Sequence, residues 1–259
     1  DPVRYYCPPW ERDVDVSFVT ESKVPTWDPL IHPGQIQENE ETSALIIANK
    51  GTPYGNDYFV GEGQTVTENT DGDDSRVIMD RAIPFIRGAV ESDTPFFTVI
   101  WFHAPHSPVV GGRDFRAMYS DQSENEQHYY ACITALDAQV GRLRAELETL
   151  GVADNTMLWY CSDNGPARQG SPRHVGSPGD LSGFKLSINE GGIRVPGLMV
   201  WPDKVKKPLT VTAPCVTSDY FPTILSSLGI ALPDDRVYDG VSLWPFIEEK
   251  TTERTKPIG

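Results

Sequence analysis

Asp163 and Asn164 stand where an apolar run stops. Thr156-Met157-Leu158-Trp159-Tyr160-Cys161 is β-prone and mostly apolar, and Ser162-Asp163-Asn164-Gly165 breaks it into a carboxylate, a carboxamide and a glycine. Side by side these offer two hard oxygen donors, a set that suits Ca²⁺ or Mg²⁺ better than zinc. Asp-Asn-Gly is also strong turn chemistry, so on these residues alone a plain turn stays open. A second break of the same kind ends Pro95–Phe102, at His103-Ala104-Pro105-His106. A third polar group, Lys185, lies in Gly183-Phe184-Lys185, just before Glu190-Gly191-Gly192.

One site drawn from these distant segments would have a definite chemistry. A hard cation beside a lysine and a histidine suits hydrolysis of an anionic ester: the cations share the charge on the oxyanion, and a protonated group assists the departing oxygen. Taken singly, a histidine after a strand is often structural and a loop lysine is often a solvated charge. His103 and His106 would face opposite sides of a continued strand. His106 is the candidate.

The elements that must carry these groups can be read in order. Residues 1–74 are rich in Pro, Gly, Asp, Thr and Asn, with short apolar pieces at Val16–Val19 and Ala44–Ala48, and read as long loops over a scaffold. Asp71–Ser75 supplies acidic and capping residues before a helical stripe of Val77, Ile78, Ala82, Phe85, Ile86 and Ala89, which Pro84 is expected to kink or shorten. Pro95–Phe102 reads as a fully buried strand. The clearest helix runs from Ser123 to Leu150, where Tyr129, Ile133, Leu136, Val140, Leu143 and Leu147 recur at threes and fours and Gly151 can end it. Asp137 interrupts that stripe, so it is expected to be hydrogen-bonded or at its margin. The strand at 156–161 follows, then a loop of some twenty residues, a length that usually marks function. The strand Gly197–Pro202 and a short helix at Ser218–Leu228 complete an α/β alternation, and in such sheets sites lie beyond the carboxyl ends of the strands.

Composition removes some classes of partner. A formal charge of −15 argues against nucleic acid, which needs a basic face. No run of about 18 apolar residues exists to span a membrane. Cys7, Cys132, Cys161 and Cys215 are widely spaced with no Cys-x-x-Cys pair, so neither a zinc knuckle nor a dense disulfide framework is signalled.

Four segments carry a resemblance. Pro95–Pro108 (PFFTVIWFHAPHSP), Ser162–Pro166 (SDNGP), Gly183–Pro202 (GFKLSINEGGIRVPGLMVWP) and Thr217–Ile230 (TSDYFPTILSSLGI) resemble, in order and spacing, successive landmarks of the sulfatase family. The likeness covers roughly 75–245, and Thr20–Pro29 resembles a loop region of bacterial members. It implies the alkaline-phosphatase-like α/β sandwich, a central mixed sheet flanked by helices. Here that fold is expected to be incomplete, with its N-terminal and C-terminal parts missing. Residues 1–245 would be the central and C-terminal part of the catalytic domain, and 246–259 the start of a truncated segment. The resemblance implies Asp163 and Asn164 as ligands of one Ca²⁺ ion, half of whose ligands lie elsewhere. It also implies His106 and Lys185 as groups contacting a sulfate ester.

The departures from the family pattern set the expected limits. Neither the paired-aspartate metal motif nor the Cys-x-Pro-Ser-Arg motif, whose cysteine becomes the formylglycine nucleophile, occurs in the 259 residues. Cys7-Pro8-Pro9-Trp10 lacks the Ser-Arg and is read as ordinary. The leading expectation is a fragment of a sulfatase acting on sulfate monoesters of small molecules or oligosaccharides, with the nucleophile outside this chain. A phosphatase or phosphodiesterase of the same superfamily, and a non-catalytic glycan-binding relative, are the alternatives. The family implies a periplasmic or secreted location.

Overall fold

The structure, a computed structural model, describes residues 8–38, 45–168 and 175–258. The chain divides into two compact units, Asp1–Ala153 with Leu158–Met199, and Asp154–Met157 with Val200–Gly259.

In the first unit the segment expected as loops holds five short strands, β1 (Val19–Thr20), β2 (Gln35–Glu38), β3 (Leu45–Ala48), β4 (Tyr58–Gly61) and β5 (Gln64–Val66). β1, β4 and β5 make an antiparallel sheet in which Thr20 lies opposite Tyr58, and β2 pairs antiparallel with β3. Strands of two to four residues are too short for a period-two pattern to emerge from the sequence. Gly63, at φ 65°, turns β4 into β5.

α1 (Asp74–Glu91) is capped by Asp73, whose carboxylate accepts the N–H of Arg76 at 3.0 Å. Pro84 does not shorten it: the helix continues for seven residues, with Pro84 on an exposed face where water can take the carbonyl its ring leaves unbonded. Its buried face is Val77, Met79, Ile83 and Ile86, so Met79 and Ile83 join the expected stripe. After α2 (Arg113–Ala117), α3 (Glu124–Thr149) begins in a capping box between Ser123 and Glu126. α3 buries Ala131, Cys132, Ala135, Leu136, Leu143 and Leu147; Ile133 instead is 41% exposed and Asp137 is exposed. The small side chains on the buried face let α3 lie close to its neighbours, and that rotates the stripe away from Ile133. Met79, Ile83 and Ile86 of α1 and Leu143 and Leu147 of α3 form one core cluster, with Phe96, Ile100 and Phe102 packed on it. Arg87 forks onto Glu146 at 2.5 and 2.7 Å, and Arg142 reaches Asp80 at 2.5 Å, tying the same two helices at the surface.

Pro95–Phe102 is not a fully buried strand. No ladder forms along it among the described residues, and only alternate side chains are covered: Phe97, Val99 and Trp101 are 75%, 57% and 82% exposed. A period of two with one face against α1 and α3 is what an extended segment adopts when only one layer packs on it. β6 (Leu158–Cys161) pairs with β7 (Gly197–Val200) in a two-stranded sheet. β6 is half-buried rather than covered on both faces, with Tyr160 38% exposed. The single turn α4 (Glu190–Ile193) precedes β7. The architecture among the described residues is therefore α/β with three small sheets in place of one central sheet.

The second unit contains α5 (Tyr220–Ser227), entered through a 3₁₀ turn at Thr217–Asp219, and α6 (Trp244–Ile247). Thr223 on α5 is buried, and its hydroxyl accepts the N–H of Leu243 at 2.8 Å.

Candidate active site

The loop after β6 is stitched to the segment that carries Lys185. The Lys185 N–H donates to the Pro166 carbonyl at 2.9 Å, Gly165 N–H to Gly192 O at 2.8 Å, and Gly191 N–H to Ser182 O at 2.7 Å. Glycine is required here by space: a Cβ on Gly165 would lie 1.9 Å from Gly191 O, and one on Gly191 would lie 2.3 Å from Gly183 O. Three backbones thus touch at one place, where Asp163-Asn164 and Gly183-Phe184-Lys185 meet. Asp163 is exposed and Asn164 half-buried. The Asn164 amide donates to Gly165 O at 2.9 Å, which commits its nitrogen and leaves the oxygen as the acceptor end.

Lys185 occupies the second position of a turn closed by Ser187 N–H to Phe184 O at 2.9 Å. Leu186 in the third position has φ 75°, the left-handed conformation a type II turn needs there and one that a bulky side chain adopts only under strain. Lys185 is half-buried, and Leu186 beside it is 99% exposed. The strained turn holds the lysine's backbone in one place.

His106 lies at the end of the extended segment. Its N–H donates to His103 O at 2.6 Å, and its ring Nδ1 is 2.8 Å from Ser107 O. A carbonyl only accepts, so Nδ1 carries a proton and Nε2 is the nitrogen left for chemistry. The ring is exposed. The structure brings Asp163, Asn164 and Lys185 together through backbone bonds, while His106 is held by its own segment. Cys7 lies outside the described residues.

His103, set aside in favour of His106, is the better anchored histidine. Its Nδ1 is 2.9 Å from Asp74 Oδ2 and its Nε2 is 2.9 Å from Thr20 Oγ1, while the Tyr58 hydroxyl donates to Asp74 Oδ1. Asp74 and Tyr58 are buried. Burial, then the Asp74 carboxylate, push the Tyr58 phenol well above its ordinary value, and burial raises Asp73 to about 6. The sequence signal was Asp73-Asp74: the first caps the helix as read, and the second turns inward to a partner that the local pattern does not reveal.

Burial raises Cys132 to about 12, so it is an inert core thiol, and Cys161 and Cys215 are free. Among the described residues no three His, Cys, Asp or Glu side chains group as a metal site, and no helix is long and apolar enough to cross a membrane.

Several known proteins are similar to this chain. Steryl-sulfatase of Rattus norvegicus is 36% identical over 164 residues, 60% of this chain and 27% of the relative. N-acetylgalactosamine-6-sulfatase of Canis lupus familiaris is 31% identical over 171 residues, 66% of this chain and 32% of the relative. The crystal structure of Ps i-CgsB in complex with k-i-k-neocarrahexaose matches with a TM-score of 0.76 and 26% identity, over 97% of this chain and 54% of that one. The putative sulfatase yidJ from Bacteroides fragilis shares the fold at a TM-score of 0.58. The chain spans about a third or less of the length of these curated relatives. The Sulfatase family model matches residues 30–230, and with the loop after β6 joined to the Lys185 turn, the chain belongs to the sulfatase family.

Proposed function

We propose that this chain carries half of the active site of an enzyme that hydrolyses sulfate monoesters, on an alkaline-phosphatase-like sandwich to which its small sheets contribute. The observation that supports this most is the backbone bond from Lys185 N–H to Pro166 O, which joins the turn that carries the lysine to the loop that carries the Asp163-Asn164 pair. The Lys185 ammonium would hold sulfate oxygens and share the charge that develops on them. His106, with Nδ1 on Ser107 O, would present Nε2 to the alcohol oxygen and, in its doubly protonated form, give up the Nε2 proton as the S–O bond breaks. No residue here is an adequate nucleophile toward sulfur, because the family's cysteine motif is not among the 259 residues.

The hard oxygens of Asp163 and Asn164 fit a calcium ion, which supplies Lewis-acid charge to the sulfate when bound. Two side chains are a minority of the 6 to 8 oxygens calcium takes. Sulfated saccharides are the substrate class we favour, since one close structural match is a complex with an oligosaccharide.

The test is hydrolysis of an aryl sulfate by the 259-residue chain and by an active sulfatase that contains it. The chain alone should be inactive. In the active protein Lys185→Ala and His106→Ala should each lower kcat about 10²- to 10³-fold, as loss of an oxyanion donor does. Wild-type kcat in both variants would overturn the assignment. Turnover of aryl phosphate with none of aryl sulfate would move the protein to the phosphatases.

A further inference from the structure

The segment that presents His106 is clamped on both sides by side chains of other elements. On the N-terminal side His103 is gripped by two elements at once: Thr20 of β1 meets Nε2, and Asp74 at the start of α1 meets Nδ1, each at 2.9 Å. Tyr58 of β4, opposite Thr20 in the ladder, holds the other oxygen of Asp74. The carboxylate accepts a hydrogen bond from Nδ1–H, so Nε2 is left to accept from the Thr20 hydroxyl, and the ring's tautomer and plane are both set. The His103 carbonyl is then the fixed acceptor for His106 N–H at 2.6 Å.

On the C-terminal side Thr26, which is 1% exposed, does the same work. Its hydroxyl donates to Val110 O at 2.8 Å and accepts Val110 N–H at 2.8 Å, while its own N–H donates to Pro108 O at 3.1 Å. Beneath the turn Ala104 and Val109 pack on Cys132 and Leu136 of α3. His106 is exposed and lies between two anchored ends.

We infer that His103 and Thr26 are positioning residues for His106. His103 is held by the Thr20–His103–Asp74–Tyr58 chain, and Thr26 acts through the Pro108–Val110 backbone. The inference rests on the reading of His106 as the group that meets the leaving oxygen. A misplacement of about 1 Å at such a group costs about 10²-fold in rate, so both anchors belong to the catalytic geometry without touching the substrate.

The experiment uses Thr20→Val, which removes one hydroxyl from the His103 side, Thr26→Val, which removes the other clamp, and Thr26→Ser, which keeps its hydroxyl. Two readouts apply. In the chain with labelled histidines, nitrogen NMR should report the His106 ring as the Nδ1–H tautomer in the parent and in Thr26→Ser, and as a tautomer mixture in both valine variants. In the active protein the valine variants should lower kcat on an aryl sulfate about 10- to 100-fold with KM changed less than about twofold, and Thr26→Ser should restore it. Unchanged His106 signals together with unchanged kcat in both valine variants would overturn the inference. If His106→Ala itself leaves kcat untouched, the functional reading falls, and the ring signals alone decide the positioning. Should Thr26→Val not fold, Thr20→Val, on a half-exposed strand residue, decides in the same way.

Discussion

A methyl group placed on Gly165 would sit 1.9 Å from the carbonyl oxygen of Gly191, inside any permitted contact. The two backbones that carry the Asp163-Asn164 pair and the Lys185 turn are therefore in contact with no side chain between them. Gly165→Ala must push them apart, and overpacking of this kind costs about 1 to 3 kcal/mol. Gly197, with nothing within 4 Å of its added Cβ, is the control: Gly197→Ala should stay within about 0.5 kcal/mol of the parent. Urea unfolding midpoints of the two variants measure the difference, and equal midpoints would mean that the loop after β6 relaxes freely.

Two substitutions two residues apart on α3 should have opposite signs. Leu143 is 6% exposed and packs with Met79, Ile83 and Ile86 of α1, so Leu143→Ala should cost about 2 to 5 kcal/mol. Gly141 is exposed on the same helix with open space around its Cα, so Gly141→Ala should gain about 0.5 to 1 kcal/mol. Thermal unfolding of both checks this, and a stabilised Leu143→Ala would mean that the helix face is turned the other way.

How far the sequence carried depended on whether a feature was local. α3 was legible end to end because its cap, its apolar period and its terminal glycine all lie within one stretch, and only the Ile133 position was misjudged. Pro95–Phe102 misled, since an apolar run cannot say whether one layer or two will cover it. The pairing of Lys185 with the loop after β6 was foreseeable as a meeting of polar ends, but the glycine contacts that enforce it join residues some twenty-six apart. The Asp74–His103 link spans 29 residues and joins a helix start to an extended segment. A capping aspartate followed by a second aspartate looks the same whether the second faces water or a histidine.

Asp73 should make the fold less stable as pH rises through its titration. Burial raises it to about 6 from an ordinary value of 3.8, so between those values the folded chain holds a proton that the unfolded chain has released. Stability therefore falls with rising pH across that interval and levels off above about 6. Asp73→Asn keeps a side-chain oxygen for the Arg76 N–H and removes the charge. It should be more stable than the parent by about 1 to 3 kcal/mol at pH 7, with the gap closing below pH 4. Denaturant titrations at pH 4, 5, 6 and 7 measure it, and a gap constant with pH would show that Asp73 stays ionised throughout.

The second unit rests on a buried ion pair whose removal should be costly. Arg254 donates to both oxygens of Asp219, at 2.7 and 2.9 Å, and the same carboxylate accepts Val216 N–H and Val241 N–H at 2.9 Å each. Both side chains are almost without solvent contact, at 7% exposure for Arg254 and 0% for Asp219. Burial alone would push the Asp219 carboxyl up, but Arg254 and the two amides outweigh it and hold it below the usual range. A depressed carboxyl contributes stability that is present above its unfolded value and is lost as pH falls through its folded one. Arg254→Ala leaves the buried carboxylate with its two amides but no ion-pair partner and should cost about 3 to 5 kcal/mol. Arg254→Lys restores the charge without the fork, and should recover only part of that loss. In Arg254→Ala the two amides alone oppose burial at Asp219, so the loss of stability toward acid should be smaller in the variant than in the parent. Unfolding of both proteins followed from pH 7 to pH 4 tests this, and parallel curves for parent and variant would show that Arg254 is not what holds Asp219 ionised.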